Sequence, residues 1–290
     1  MQFITNGILA SASFVLAGIA CAIIIRGMGF FNLALGAIFT LGGYFVFSLH
    51  VKLLLPLWIA VPIAISLCAV LGILFEAMLF SPLRAKQASP LVLLLVSIGL
   101  YIILSALVEL IYGPQVAMLV AGGPRSSFQI FGIWITTIQL ATWAAAIAAC
   151  VSLSLFLKMT KGGFALRAVA NDSDLAAMSG IDLPRIRMYA SAIGCTFAAI
   201  CGLMIGMDSD LSPNMGIHIL FGGLVVAIAG GVDSILGIVL AAFLLGIAQH
   251  VGVWKIGSQW QDSIAFAILL IFLLFRPQGF LGKNFKKAIV

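Results

Sequence analysis

Residues 53–75 read LLLPLWIAVPIAISLCAVLGILF, twenty-three positions without one Asp, Glu, Lys or Arg. A helix that crosses the ~30 Å hydrocarbon core of a bilayer needs ~20 such residues. Working outward, the pattern recurs. Residues 1–25, 27–51, 87–108, 126–157, 188–207, 211–232 and 234–254 are also free of charge. No soluble-looking block separates them, so residues 1–290 read as one transmembrane domain. The expected class is all-α: a polytopic transmembrane helical bundle of about 8–10 membrane segments. A transmembrane barrel would show ~10-residue alternating segments instead, and none is visible.

Composition agrees. The chain is 63% hydrophobic, and 8% of its residues are charged, against about 25% in soluble domains. A water-soluble fold and a disordered chain are both excluded. The net charge of +6 is spread between apolar runs, which argues against nucleic-acid binding. Cys21, Cys68, Cys150, Cys195 and Cys201 all lie inside apolar runs with no CxxC pair. They read as small packing residues. The first run has no positive region before it, Arg26 being the first basic residue. It is expected to remain as a membrane helix and not to be removed as a signal peptide.

The expected spans are 7–25, 29–49, 57–80, 91–113, 134–157, 187–207, an interrupted region 219–250, and 260–276. Loop 158–187 carries five basic residues and the C-terminal tail four (Arg276, Lys283, Lys286, Lys287). The positive-inside rule puts both in the cytoplasm. Arg26 and 81–90 then also lie inside, and Lys52, Arg125 and Lys255 outside, twelve basic residues against three. Trp58, Trp134, Trp254 and Trp260 fall near the outer span ends, as an interfacial belt would.

This orientation requires 219–250 to leave and return to one side. The break falls at Gly230-Gly231-Val232-Asp233-Ser234, and the first half is too short to cross unaided. A broken helix pair covered by protein is expected, because irregular backbone at membrane depth needs such cover. Residues 27–43, with five glycines around Asn32, suggest a second unwound or re-entrant segment, which would move the N-terminus inside. Gly202 and Gly206 form a small-xxx-small pair suited to close helix packing.

Catalytic signatures are missing: there is no HExxH, GxSxG or HxE with CxxC. No catalytic or metal-binding residue is assigned. His50, His218 and His250 sit near span ends, far apart in sequence. Without GxxxxGK[ST] the chain has no P-loop of its own. There is no voltage-sensor arginine ladder and no TVGYG filter. Glu76 and Glu109 are expected to snorkel to the interface. Asp233 is read first as a cap on the following half-helix, with a buried functional carboxylate as the alternative. In the inner loop, Asn171-Asp172-Ser173 should cap a helix over about 173–179, with Gly180 ending it and Pro184 opening the next span. Such an amphipathic helix suits docking of a soluble partner, or lying flat in the interface.

At this loop the sequence resembles a known family. Thr160-Lys161-Gly162-Gly163-Phe164-Ala165-Leu166-Arg167-Ala168-Val169-Ala170-Asn171-Asp172, followed by Ala176-Ala177-Met178-Ser179-Gly180-Ile181, is similar to the cytoplasmic loop of branched-chain amino acid ABC transporter permeases. Gly29-Phe30-Phe31-Asn32-Leu33-Ala34-Leu35-Gly36 with Gly42-Gly43-Tyr44 resembles that family's glycine-rich second segment. Gly230-Gly231-Val232-Asp233-Ser234-Ile235-Leu236-Gly237 resembles its GGxGSxxG stretch, and Arg276-Pro277-Gln278-Gly279-Phe280-Leu281-Gly282 its RPxGxxG ending. The four stand in family order.

The resemblance implies a permease subunit of a bacterial inner-membrane importer. It implies a second related permease as partner (a heterodimer), two ATP-binding cassette subunits that hold ATP and Mg, and a periplasmic binding protein. No cofactor is implied for this chain. Within 158–187 it implies a coupling element that includes Arg167, Asn171, Asp172, Ala176, Ala177, Gly180 and Ile181. By analogy with broken helices at transporter midplanes, Asn32, Gly36, Gly230, Gly231, Asp233 and Ser234 would line the path; interhelical hydrogen bonding is the other reading of Asn32. The sequence departs from the family where Asp233 replaces a usual Gly and Leu236 a usual Pro. The family's solutes include branched-chain and other amino acids, amides, urea and organic acids. An ion-coupled secondary carrier is the competing class; it would show internal repeats and buried coupling carboxylates.

Overall fold

The computed structural model describes residues 2–117, 119, 127–130, 133–276 and 279–281. The expected positions of Arg125, Lys283, Lys286 and Lys287 lie outside the described residues. Among those described, seven helices are long and apolar enough to cross a membrane, and two shorter apolar helices accompany them. The chain is a multi-pass all-α membrane protein.

Helix α1 (Gln2–Met28) is the central post. From Ala12 to Ile24 nearly every side chain is buried, and α6 (Thr137–Met159), α9 (Leu183–Asp208), α10 (Met215–Gly230) and α11 (Ile235–Ile256) pack around it. A helix apolar on all sides is the kind that can be enclosed this way. The peripheral helices show the opposite pattern. In α3 (Leu57–Phe75) the buried positions are Ala60, Ala64, Cys68 and Gly72, one small residue every fourth position. Ile63, Leu67, Val70 and Leu74 of the same helix are exposed. Small residues let backbones approach, while large apolar ones face lipid. Helix α5 (Pro90–Tyr112) likewise buries Leu93, Ser97, Ser105 and Val108.

The glycine-rich segment after α1 does unwind. Gly29 has φ +74°, and regular helix resumes at α2 (Leu35–Phe47), extended by a π-helical turn Ser48–Lys52. The second interruption is more elaborate than expected. After α9 the chain passes through residues 209–214, where Asp210 has φ +66°, before α10 begins. Helix α10 has 16 residues, about 24 Å at 1.5 Å per residue, short of the bilayer core. It breaks at Gly231 (φ +90°), and α11 then runs for 22 residues. Only the first half of the expected pair is therefore short. Most of α10 is buried, including Gly222, Gly223, Val225 and Val226, which supplies the protein cover that a partial span requires. The last helix among the described residues, α12 (Gln261–Phe275), is also short.

An antiparallel hairpin, β1 (Ser127–Ile130) with β2 (Ile133–Thr136), precedes α6. Nothing in the sequence reading foretold it: strands of four residues leave no usable alternation inside an uncharged run. Thr136 ends the hairpin and opens α6 through a capping box with Gln139.

Two expectations about charges need correction. Glu76 does not reach the interface; it is completely buried and ion-paired with Arg84. A π-helical turn (Glu76–Phe80) leads into α4 (Ser81–Ala85), and this turn brings Arg84 back over the carboxylate. Arg84 Nη2 also donates to the Met28 carbonyl at 3.2 Å, so the end of α1 is held as well. Asp233 is not the cap of α11. Ser234 is, accepting from Gly237 N at 3.1 Å, and Asp233 pairs with Arg26 instead.

Candidate functional site

The loop between α6 and α9 folds as two helices. Thr160 caps α7 (Lys161–Asn171), its hydroxyl accepting from Gly163 N at 3.0 Å. Helix α7 buries Gly163, Leu166 and Val169 against the bundle, and Leu166 reaches the Gly27 end of α1. Asp172 then caps α8 (Ser173–Met178), its carboxylate accepting from Asp174 N at 2.9 Å and Leu175 N at 3.0 Å. Gly180, at φ +83°, ends the unit. Ile181 N donates back to the Ala176 carbonyl at 3.1 Å, and Asp182 caps α9, with Pro184 in its first turn.

Residues 160–181 thus form a compact block on the end of the bundle where Arg26, Arg84, Arg167 and Arg187 collect. Of the coupling residues, Ala176 is buried and holds α8 to the block. Asn171, Asp172, Ala177 and Gly180 are exposed; Arg167 and Ile181 are half-buried. The guanidinium of Arg167 lies 4.7 Å from the centre of the Phe164 ring. Leu175 and Met178, 62% and 86% exposed, add apolar surface to this otherwise polar block.

The six residues expected to line a path fall into two groups, at opposite ends of α10. Asn32 and Gly36 belong to the first group. The Asn32 side chain is spent locally: its Oδ1 accepts from Ala34 N at 3.1 Å and its amide points at Met28 Sδ. Leu33 N donates to Ser97 Oγ of α5 at 3.1 Å, which closes one backbone donor that the unwound segment leaves open. Gly36, in the first turn of α2, faces Gly216, in the first turn of α10. A Cβ on Gly216 would stand 1.9 Å from the Gly36 carbonyl oxygen. Thr40 Oγ1 accepts from Gly216 N at 3.1 Å. Two helix N-termini therefore meet side by side, fed by the two unwound segments.

The second group, Gly230, Gly231, Asp233 and Ser234, forms the turn between α10 and α11. Its backbone is closed by the segment that follows α12: Phe280 N donates to the Ala229 carbonyl at 2.8 Å and Leu281 N to the Gly230 carbonyl at 3.4 Å. These are carbonyls that the end of a helix otherwise leaves without partners. Asp233 Oδ1 lies 3.0 Å from Arg26 Nη2. Arg26 was read from sequence only as one more inner charge. The available signal was the pairing of a basic residue next to one glycine-rich break with an acidic residue inside the other.

Three of the four recognised motifs thus surround one end of the bundle, and the fourth begins there. Comparisons with known proteins identify the family. Residues 3–274 match the family described as branched-chain amino acid transport system / permease component. The high-affinity branched-chain amino acid transport system permease protein LivH of Salmonella typhimurium is 27% identical over 296 residues, covering 98% of this chain and 96% of the relative. The corresponding BraD protein of Pseudomonas aeruginosa is 28% identical over 298 residues, with the same coverage of each chain. A chain of the solved structure PsaBC from Streptococcus pneumoniae in complex with Fab superposes with a TM-score of 0.53 at 16% identity, covering 96% of this chain and 93% of that one. That likeness speaks to the fold. The family match runs across nearly all of the helical bundle described above: the chain belongs to the branched-chain amino acid transport permease family.

Proposed function

We propose that this chain forms one half of the membrane path of an ATP-driven importer for amino acids, branched-chain or similar small polar solutes. Residues 160–181 would be the contact with an ATP-binding cassette subunit, with Arg167, Asn171, Asp172, Ala176, Ala177, Gly180 and Ile181 in or beneath the contact. The observation that carries this reading is the build of that block. It is fixed from below by Leu166, Val169 and Ala176 and presents Leu175 and Met178 outward.

The remaining partners are a second, related permease, two ATPase subunits that hold ATP and Mg, and a periplasmic binding protein docking at the opposite end. This chain itself binds no cofactor. The orientation places 158–187 and the C-terminus in the cytoplasm of a bacterium, with the bundle in its inner membrane. Twelve basic residues on that side against three on the other support it. Closure of the ATPases would pull the 160–181 block, and the two broken segments would shift between outward and inward access.

A tagged chain purified gently from its native membrane tests the proposal. A P-loop ATPase should co-purify and be lost when 163–183 is scrambled while the chain stays folded. A chain free of ATPase that transports in vesicles under an ion gradient would instead make it a secondary carrier.

A further inference from the structure

The ion pair between Arg26 and Asp233 has a third neighbour. Arg26 and Asp233 line one narrow cleft with Arg167 of α7, and its other walls include Leu153, Leu157 and Leu166. The pair is largely enclosed, with the side chains 17% and 20% exposed. Nε of Arg26 and Nε of Arg167 are both buried without a hydrogen-bond partner among the described residues. Two guanidinium groups therefore share an apolar-walled cleft with one carboxylate. At low effective dielectric, like charges at such range repel strongly unless a counter-charge lies close by. Asp233 supplies it, from the turn between α10 and α11.

We propose that the Arg26–Asp233 pair is a positioning strut that ties the α10–α11 turn to the 160–181 block, so that movement of one displaces the other. The inference rests on the coupling reading of that block and deepens it. The mechanical path is short. Leu166 of α7 meets α1 at Gly27, one residue beyond Arg26, and Asp233 sits two residues after Gly231, whose φ of +90° marks the break between α10 and α11. A turn without a side chain at 233 would have no such tie. Asp233 thus acts through Arg26 and the backbone it holds; no contact with solute is assigned to it.

The experiment uses the complex that co-purifies with the tagged chain, reconstituted in proteoliposomes with its binding protein and an amino acid substrate. Uptake and ATP hydrolysis are measured together. Asp233→Asn and Arg26→Gln are each expected to keep the ATPase bound and hydrolysing, while uptake per ATP falls by at least about fivefold, the lower end of ordinary coupling between sites. Asp233→Glu and the exchange Arg26→Asp/Asp233→Arg should recover most of the ratio. An unchanged ratio in both single variants overturns the strut. So does a loss that neither Asp233→Glu nor the exchange repairs although all four chains stay folded, because the pair would then serve packing alone. If the unaltered chain brings down no ATPase, the coupling reading itself fails, which separates that failure from this one.

Discussion

Replacing Arg84 by Met should destabilise the chain more than any other single charge removal at this end of the bundle. The Glu76 carboxylate has no solvent exposure, and its Oε2 finds no hydrogen-bond partner among the described residues. Arg84 is its ion-pair partner. The same guanidinium donates to the Met28 carbonyl and lies 5.4 Å from the centre of the Phe30 ring. Taking one partner from a buried pair strands the other charge, at a cost of ~3–5 kcal/mol. Replacing both partners by apolar groups of similar volume is often near neutral. The double variant Glu76→Leu/Arg84→Met should therefore lie well above the Arg84→Met single variant in stability. At about 2 °C per kcal/mol, the low end for large chains, the single variant should melt ~6–10 °C lower. The assay is a thermal melt of purified protein in a mild detergent, read as loss of the monodisperse peak, across the full double-mutant cycle. An Arg84→Met melt within ~2 °C of the unaltered chain would refute the reasoning. So would a double variant that shows the simple sum of the two single losses, since the two side chains would then not act as a pair.

Gly216→Val should abolish folding into the bundle, because its Cβ would stand 1.9 Å from the Gly36 carbonyl oxygen and 2.5 Å from Thr40 Oγ1. Gly99→Ala, with nothing within 4 Å, is the control, and the yield of monodisperse protein decides between them. Asp172→Ala should remove the cap of α8 at a cost of ~1 kcal/mol. That is about a fivefold loss of amide exchange protection over Asp174–Met178, with Asp172→Asn retaining most of it. Met178→Glu changes an 86% exposed side chain; it should leave the melt unaltered within ~1 °C and sharply reduce ATPase co-purification. An unchanged pull-down would move the contact away from α8.

The helices were legible because lipid and protein ask different things of a helix. Charge-free runs of sufficient length marked the spans, and a cap such as Asp172 needed only local sequence. Pro184 and Gly180 did their work within one turn. Glu76 was misread because its partner is placed by a π-helical turn and α4, which bring a residue eight positions away onto the carboxylate. Local periodicity carries no notice of such a turn. Asp233 was misread for a similar reason: its partner Arg26 is more than two hundred residues away in sequence. The polar neighbour Ser234 took the capping role that Asp233 could also have filled. Of the two readings of Asn32, lining the path or bonding between helices, the second meets a nearer partner in its own unwound segment, the Ala34 N–H.

These misreadings share a physical cause that bears on function. A break in a membrane helix leaves backbone groups that must be satisfied from elsewhere in the protein. At 29–34 the donors go to Ser97 and Asn32; at 230–231 the carbonyls are met by Phe280 and Leu281. Each break is thereby fastened to another element of the bundle. The α10–α11 turn is fastened two ways, to the segment after α12 by backbone hydrogen bonds and to α1 by Asp233, and it shares a cleft with Arg167 of α7. A turn held by independent ties can shift as a unit without exposing its backbone to lipid. On the coupling role proposed above, such a turn, sharing a cleft with α7, is where motion of a docked ATPase subunit would first enter the membrane.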